Sequence, residues 1–105
     1  MAVKKTFTSF QDMLAQSDRP VLVDFYADWC GPCRMMASIL QDVGKQLKDQ
    51  LNVVKIDTEK YPNLASQYQI HALPTLVLFK NGEPVDRIEG VMVADALIQR
   101  VKPLL

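Results

Sequence analysis

Cysteine and histidine are scarce in this sequence, which has two cysteines and one histidine among 105 residues. Two cysteines are too few for a secreted scaffold that is built on several disulfides. A structural zinc site usually takes four cysteine or histidine ligands, and the chain offers only three. A disulfide-built scaffold is therefore excluded, and a complete zinc site within the chain is disfavoured.

Net charge and long apolar runs are also missing. The twelve basic and twelve acidic side chains cancel, so no overall field attracts nucleic acid or an anionic membrane. No segment reaches the roughly 18 apolar residues that span a membrane, and the N-terminal MAVKKTFTSF lacks the apolar core of a targeting signal. We expect one soluble domain over residues 1–105, with no nucleic-acid or membrane partner.

The chain alternates between apolar patterns of period two and of about 3.6, which predicts one α/β unit. The strands are predicted over 2–6, 21–26, 52–57, 75–80 and 85–90. The helices are predicted after Thr8 or Ser9, from Cys30 to about Lys48, over 62–70, and from Asp95 to Val101. Strands joined through helices should be parallel, whereas Asn81-Gly82 favours a type I′ turn and an antiparallel last pair. A mixed sheet with helices on both faces follows.

The two cysteines, Cys30 and Cys33, are separated only by Gly31 and Pro32, where a predicted central strand gives way to a helix. If Cys30 is the N-cap of that helix, its sulfur can accept the backbone N–H of Cys33 and faces the positive end of the helix dipole. Both effects favour a charged sulfur over a neutral thiol. Cys30 is therefore the predicted nucleophile.

The spacing of the cysteines also suits a bond that opens and closes. Residues three apart on a helix have Cβ atoms about 5 to 6 Å apart, and a disulfide needs about 3.8 Å, so a small adjustment of the first turn is enough. The pattern predicts reversible dithiol–disulfide exchange. A structural disulfide, two unrelated buried thiols and a zinc site remain alternatives, although a disulfide that closes so short a loop would stabilise the fold little.

WCGPC after VLVDFYAD, LPTLVLFKNGEPV downstream and the glycine at position 90 resemble the thioredoxin family across nearly the whole chain. VVKIDTEKYP with GEPVDRIEG resembles, more narrowly, the y-type thioredoxins of plastids and cyanobacteria. The resemblance implies a thioredoxin fold, with a central mixed five-stranded sheet flanked by four helices. It also implies a protein-disulfide reductase that works through a Cys30–Cys33 redox disulfide. No bound cofactor is expected, because the sequence contains no G-x-G-x-x-G or phosphate-binding loop, and no metal is expected.

The resemblance extends to two charged positions. Asp24 lies inside an apolar strand, so the pKa of its carboxyl should be raised, and it matches the family's buried aspartate, the proton acceptor for the second cysteine. The alternative is an aspartate that is solvated at the end of the strand. Lys55 matches the lysine that accompanies this aspartate, although it could instead extend to solvent. Asp24 and Lys55 thus join Cys30 and Cys33 in the expected catalytic set.

A substrate-binding surface is also implied. Pro74 matches the family's cis-proline, although the residues alone leave a trans proline open. In the family the backbone before this proline, here that of Leu73, pairs with a bound substrate chain. With Pro74 beside it, an apolar patch around the sulfur would comprise Trp29, Gly31, Pro32, Ile70, Leu73, Gly90 and Val91. Ile70 and Val91 could equally be ordinary core residues. His71 beside this patch is either a plain surface residue or a contact that depends on pH.

The expected partners are proteins with reducible disulfides, with peroxiredoxins and other antioxidant enzymes as candidates. A ferredoxin- or NADPH-dependent thioredoxin reductase would regenerate the dithiol. We expect a monomer in a bacterial cytoplasm, or in the plastid stroma if this is a processed chain. The alternatives are an adaptor without turnover, against which Asp24, Cys30, Cys33 and Pro74 together argue, and an oxidase or isomerase, against which Gly31-Pro32 and the lack of an export signal argue.

Overall fold

A computed structural model describes residues 9–105 of the chain. In chain order the elements are α1 (Phe10–Gln16), β1 (Val21–Tyr26), α2 (Gly31–Gln46), β2 (Asn52–Asp57), α3 (Pro62–Gln67), β3 (Thr75–Lys80), β4 (Glu83–Glu89), α4 (Ala94–Val101) and a 3₁₀ turn (Lys102–Leu104). The predicted α/β class with four α-helices and a mixed sheet is confirmed. The sheet has four strands rather than five in this range, and the strand predicted over 2–6 lies outside the described residues.

The strands lie in the order β2-β1-β3-β4. Strand β1 is parallel to β2 and antiparallel to β3, and β3 is antiparallel to β4. Asp24 on β1 is in register with Lys55 on β2 and with Leu76 on β3. Asp24 therefore has a strand on both sides.

The prediction that strands joined through helices are parallel is wrong for β3. A parallel strand needs a crossover that carries the chain back along the sheet. Residues 58–74 are numerous enough for one, but α3, the helix among them, rises only about 9 Å against the roughly 20 Å of a six-residue strand, and the rest of the connection does not run back along the sheet. Strand β3 therefore starts at the edge where β1 and β2 end, and Thr75 is in register with Phe25 near the end of β1. This edge carries the loops that follow β1 and β2.

The predicted hairpin is present, with Asn81-Gly82 connecting β3 to β4. The φ angles of Asn81 and Gly82 are 55° and 82°, the positive values that a type I′ turn requires at both central positions. Lys80 and Glu83 are in register on either side of the turn. Ser9 caps α1, as expected, through a hydrogen bond of 3.0 Å from the backbone N–H of Asp12 to its Oγ.

Two apolar clusters fill the two faces of the sheet. One packs under α2 and α4, and its fully buried members are Leu22, Met36, Val43, Leu76, Leu78, Leu97 and Val101. The other packs under α1 and contains Leu14, Val21, Val23, Phe25, Val77 and Phe79. Because side chains alternate along a strand, Asp24 lies on the same face as Leu22, toward α2. Within residues 9–105, no helix is long and apolar enough to cross a membrane.

Candidate active site

Cys30 is the N-cap of α2. Its backbone is extended, with φ −89° and ψ 109°, and its Sγ accepts the backbone N–H of Cys33 at 3.2 Å. Pro32 lies in the first turn, where a missing N–H breaks no helical hydrogen bond. The cap forms as predicted because its acceptor, the Cys30 sulfur, and its donor, the Cys33 N–H, both lie within four consecutive residues.

The two sulfur atoms are bonded to each other, and the Cα atoms of Cys30 and Cys33 lie 5.2 Å apart. Both side chains are nearly buried, with 4% and 3% exposure. The bond excludes the alternative of two unrelated thiols. When it opens, a Cys30 thiolate would lie at the positive end of a helix of sixteen residues, which stabilises negative charge. Within residues 9–105, no cluster of three or more metal-ligating side chains occurs.

Asp24 is fully buried, and neither carboxylate oxygen has a hydrogen-bond partner within residues 9–105. Burial raises the pKa of Asp24 from 3.8 to about 6, and the charge of Lys55 lowers it in part. Loss of hydration penalises the ionised form, because no donor replaces the lost water. The strand therefore holds a carboxyl group that titrates near neutral pH.

Lys55 is exposed, and its Nζ lies 4.7 Å from the centroid of the Tyr26 ring. It is in register with Asp24 across the strands but makes no salt bridge to it, so the two interact through space. A small cleft of about 110 Å³ opens beside Lys55 and is lined by Tyr26, Ala27, Asp28, Cys33, Arg34, Ala37 and Lys55. The second cysteine and the lysine thus share one cleft.

A wider groove lies on the other side of the disulfide. It has a volume of about 490 Å³ and is lined by Trp29, Cys30, Gly31, Pro32, Thr58, Ile70, His71 and Leu73. Trp29 is 70% exposed, and its indole N–H donates to the carboxylate of Glu59. The groove brings most of the expected patch next to Cys30.

Two residues at this site were not anticipated: Thr58, which lines the groove, and Glu59, which accepts the hydrogen bond from Trp29. Both follow β2, and the amide and hydroxyl of Thr58 both donate to the carbonyl of Tyr26 at the end of β1, at 2.9 and 3.0 Å. Parallel strands end at the same edge of a sheet, and binding sites often lie there. Applied to the residues that follow β2, this rule could have predicted Thr58 and Glu59 from the sequence.

Pro74 follows a cis peptide bond with Leu73, as the family resemblance implied. Leu73 packs against Ala27, Cys30 and Cys33. The carbonyl of Pro74 accepts the backbone N–H of Gly90 at 2.9 Å, which brings the end of β4 to the site. Gly90 and the exposed Val91 are not among the residues that line the groove.

The sequence matches the model of the thioredoxin family over residues 1–103. The chain belongs to the thioredoxin family. It is 65% identical over 102 residues to a thioredoxin-like protein of Synechocystis sp., an alignment that covers 97% of each chain. It is 60% identical over 104 residues to the chloroplastic thioredoxin Y1 of Arabidopsis thaliana, which covers 99% of this chain and 60% of that protein.

A solved structure agrees with this assignment. A chain from a study of the thiol-resolving mechanism of yeast mitochondrial 1-Cys peroxiredoxin via glutathione/thioredoxin systems superposes with a TM-score of 0.82. It is 33% identical, and the match covers 93% of this chain and 90% of that one. The resemblance to thioredoxins, including the y-type proteins, is confirmed.

Family membership settles the general chemistry. Thioredoxins are thiol–disulfide oxidoreductases that act on target disulfides and are reduced by a thioredoxin reductase, and Cys30–Cys33 is the redox-active pair here. The expected reductase function is supported. The chain spans about 60% of the length of the Arabidopsis relative.

Proposed function

We propose that residues 1–105 form a single thioredoxin domain that reduces disulfides in target proteins, with Cys30 as the attacking residue. One observation carries this assignment of roles: the Sγ of Cys30 accepts the backbone N–H of Cys33 at the first turn of α2. A thiolate at Cys30 gains from that hydrogen bond and from the helix dipole, and the thiolate is the form that attacks a disulfide.

The exchange proceeds in two steps that transfer two electrons to the target. The Cys30 thiolate attacks one sulfur of the target disulfide, so that the target bond breaks, a mixed disulfide forms, and the other target sulfur leaves as a thiolate that takes up a proton. Cys33 then loses its proton and attacks the sulfur of Cys30. The target leaves as a dithiol, and the Cys30–Cys33 disulfide forms again.

Asp24 is the proposed proton acceptor for Cys33. With a pKa of about 6, its carboxyl is mostly ionised at neutral pH but is more basic than an ordinary aspartate, as a general base working near pH 7 should be. Lys55 is proposed to tune this base by lowering the pKa of Asp24 through its positive charge. It is in register with Asp24 and lines the cleft that reaches Cys33.

The groove beside Cys30 is the proposed docking site for the polypeptide around the target disulfide. An extended substrate chain would pair with the backbone of Leu73, in the manner of a strand added to a sheet. The exposed ring of Trp29 supports apolar contact here. The proposed contacts are Trp29, Gly31, Pro32, Ile70, Leu73, Pro74, Gly90 and Val91.

The proposed electron donor is a ferredoxin- or NADPH-dependent thioredoxin reductase, and the proposed targets include peroxiredoxins. The similar solved chain comes from work on a 1-Cys peroxiredoxin and thioredoxin systems, which supports that class of target. We place the protein, as a monomer without nucleic-acid or membrane partners, in a bacterial cytoplasm or the plastid stroma. Its cyanobacterial and chloroplastic relatives support both locations.

The test uses two cysteine variants with insulin as a disulfide substrate. Cys30→Ser should lose reduction down to the uncatalysed background, because no nucleophile remains. Cys33→Ser should instead accumulate a covalent mixed disulfide, because the resolving thiol is gone. Non-reducing gel electrophoresis and mass spectrometry would identify the linked residue.

Ser38→Ala, on the exposed face of α2, is the matched control and should leave turnover unchanged. Normal turnover by Cys33→Ser, or a target linked through Cys33 in the wild type, would contradict the assigned roles. Titration of the Cys30–Cys33 couple against glutathione separates the alternatives. A reduction potential far above the cytosolic glutathione poise would indicate an oxidase rather than a reductase.

A further inference from the structure

Residues 70–74 form a docking segment that leads from α3 to β3. Ile70, His71 and Leu73 line the groove beside Cys30, and Pro74 follows the cis bond. The segment belongs to no helix or strand, so its path depends on how its two ends are held.

The first end of the docking segment follows an unusual backbone conformation. Helix α3 is capped by Tyr68, and Gln69 then adopts φ 54°, in the left-handed region that side chains other than glycine rarely enter. The backbone N–H of Ile70 turns back to the carbonyl of Ala65 at 2.9 Å. This turn sets the direction in which the docking segment leaves the helix.

Arg87 on β4 holds this turn from outside. Its Nη1 donates to the carbonyl of Gln69 at 2.9 Å, and its Nη2 donates to the carbonyl of Tyr68. A planar guanidinium can bind two oxygens at once, whereas a lysine offers a single ammonium group. A cation is also favourable at the carbonyl end of a helix. One side chain thus binds two consecutive carbonyls just before the docking segment.

The second end of the docking segment is held just after the same strand, where the N–H of Gly90, which directly follows β4, donates to the carbonyl of Pro74. Arg87 is itself held from α4. Its own carbonyl accepts from Arg100 at 3.1 Å, and Arg100 makes two hydrogen bonds of 2.8 and 2.9 Å to the carboxylate of Asp86. Strand β4 and the residue after it therefore contact both ends of the docking segment, and helix α4 holds the part of β4 that carries Arg87.

We propose that Arg87 is a positioning residue that fixes the docking segment for binding of polypeptide substrates. The inference rests on the proposed function in one respect, that substrate chains dock at Leu73. Arg87 contacts neither cysteine, so the exchange chemistry itself does not depend on it. Loss of the two hydrogen bonds would let the turn at Gln69 relax and would misalign the edge that pairs with substrate, which weakens the docking of an extended chain.

The test compares two disulfide substrates of different size. For Arg87→Gln we expect the KM for insulin to rise about three- to tenfold, with kcat and the rate with 5,5′-dithiobis(2-nitrobenzoate) each kept within about twofold. The small aromatic disulfide needs the sulfur of Cys30 but no extended docking. Arg19→Gln is the matched control, since Arg19 also donates to a carbonyl, that of Lys48 at 2.7 Å, but does not line the groove.

Arg87→Lys keeps the charge without the planar fork and should give a KM between those of the wild type and Arg87→Gln. An equal loss with both substrates would mean damage to the fold or the chemistry, and no change with either substrate would remove Arg87 from docking. Both results would overturn the proposal.

Amide hydrogen exchange gives a readout that needs no activity. The Ile70 amide should exchange faster in Arg87→Gln than in the wild type or in Arg19→Gln, because its hydrogen bond to Ala65 depends on the turn. Unchanged exchange at Ile70 would refute the positioning role. Failure of the wild type to reduce insulin would instead refute the proposed function, and the exchange measurement would still report on Arg87.

Discussion

Asp24 and Asp86 lie on strands of one sheet in opposite environments. Asp24 on β1 is fully buried, and neither of its oxygens has a hydrogen-bond partner within residues 9–105. Asp86 on β4 is partly exposed and accepts two hydrogen bonds from Arg100. Burial raises the pKa of Asp24 to about 6, whereas the hydrogen bond from Arg100 lowers the pKa of Asp86.

The two aspartates contribute to the stability of the fold with opposite signs. An unpaired buried carboxylate destabilises a protein, and a leucine would fit an apolar strand better. A paired carboxylate at the surface stabilises slightly. The destabilising carboxylate, Asp24, lies on the face covered by α2, whose first turn carries the disulfide. The paired carboxylate, Asp86, lies on β4, the strand that holds the docking segment. The two aspartates should therefore respond to substitution and to pH with opposite signs.

The largest effect is expected from Asp24→Asn. Above pH 6 the variant should be more stable than the wild type by about 1 to 3 kcal/mol, because a buried charge becomes a neutral amide. The pKa of Asp24 is raised from 3.8 to about 6, so the wild type loses stability as pH rises through this window. The gain should therefore shrink as pH falls from 6 toward 4. Denaturant unfolding across this range measures it.

The same variant should release mixed disulfides more slowly at pH 7, because Cys33 loses its proposed proton acceptor. Single-turnover reduction measures the release rate. Asp42→Asn, which removes an exposed carboxylate from α2, is the control. It should change the free energy of unfolding by no more than about 0.5 kcal/mol and should leave the release rate of mixed disulfides unchanged. If Asp24→Asn changed neither the free energy of unfolding nor the release rate, Asp24 would not be a buried proton acceptor for Cys33.

An intermediate effect is expected from Lys55→Met. The charge of Lys55 lowers the pKa of Asp24, so its removal should raise that pKa above about 6, by roughly half a pH unit for an exposed lysine. The carbon-13 shift of the Asp24 carboxyl reports the titration directly. The pH profile of mixed-disulfide release should move upward with it.

Lys80→Met, at the last residue of β3, is the matched control. It should change neither the titration of Asp24 nor the pH profile of mixed-disulfide release. An unchanged or lower pKa for Asp24 in Lys55→Met would contradict the electrostatic role of the lysine, because methionine removes the charge and keeps the bulk of the side chain.

The smallest effect, of opposite sign to that of Asp24→Asn, is expected from Asp86→Asn. Stability at pH 7 should fall slightly, because Arg100 loses its ionic partner. The native pKa of Asp86 lies below 3.8, so its contribution is present above this value and is lost as pH falls through the lowered pKa. Unfolding curves of the variant and the wild type should converge there. A gain in stability at pH 7 would contradict the comparison of the two aspartates.

Local sequence determined much of this protein. The cap at Cys30, the cap at Ser9 and the turn at Asn81-Gly82 were predicted correctly, because each depends on about four adjacent residues whose backbone preferences act alone. The burial of Asp24 was also predictable, since apolar residues surround it in the strand. The cis bond before Pro74 came from resemblance to a family, because sequence physics alone favours trans.

Tertiary structure decided the features that join distant segments. Strand β3 runs antiparallel to β1 because the connection through α3 returns to the edge at which β2 ends, and the apolar pattern fixes neither the length of that helix nor the path of the connection. Thr58 reaches the groove, and Arg87 reaches the turn before the docking segment, only because the sheet brings distant strand ends together. Such contacts depend on strand order and direction, whereas a sequence pattern records only which residues are adjacent along the chain.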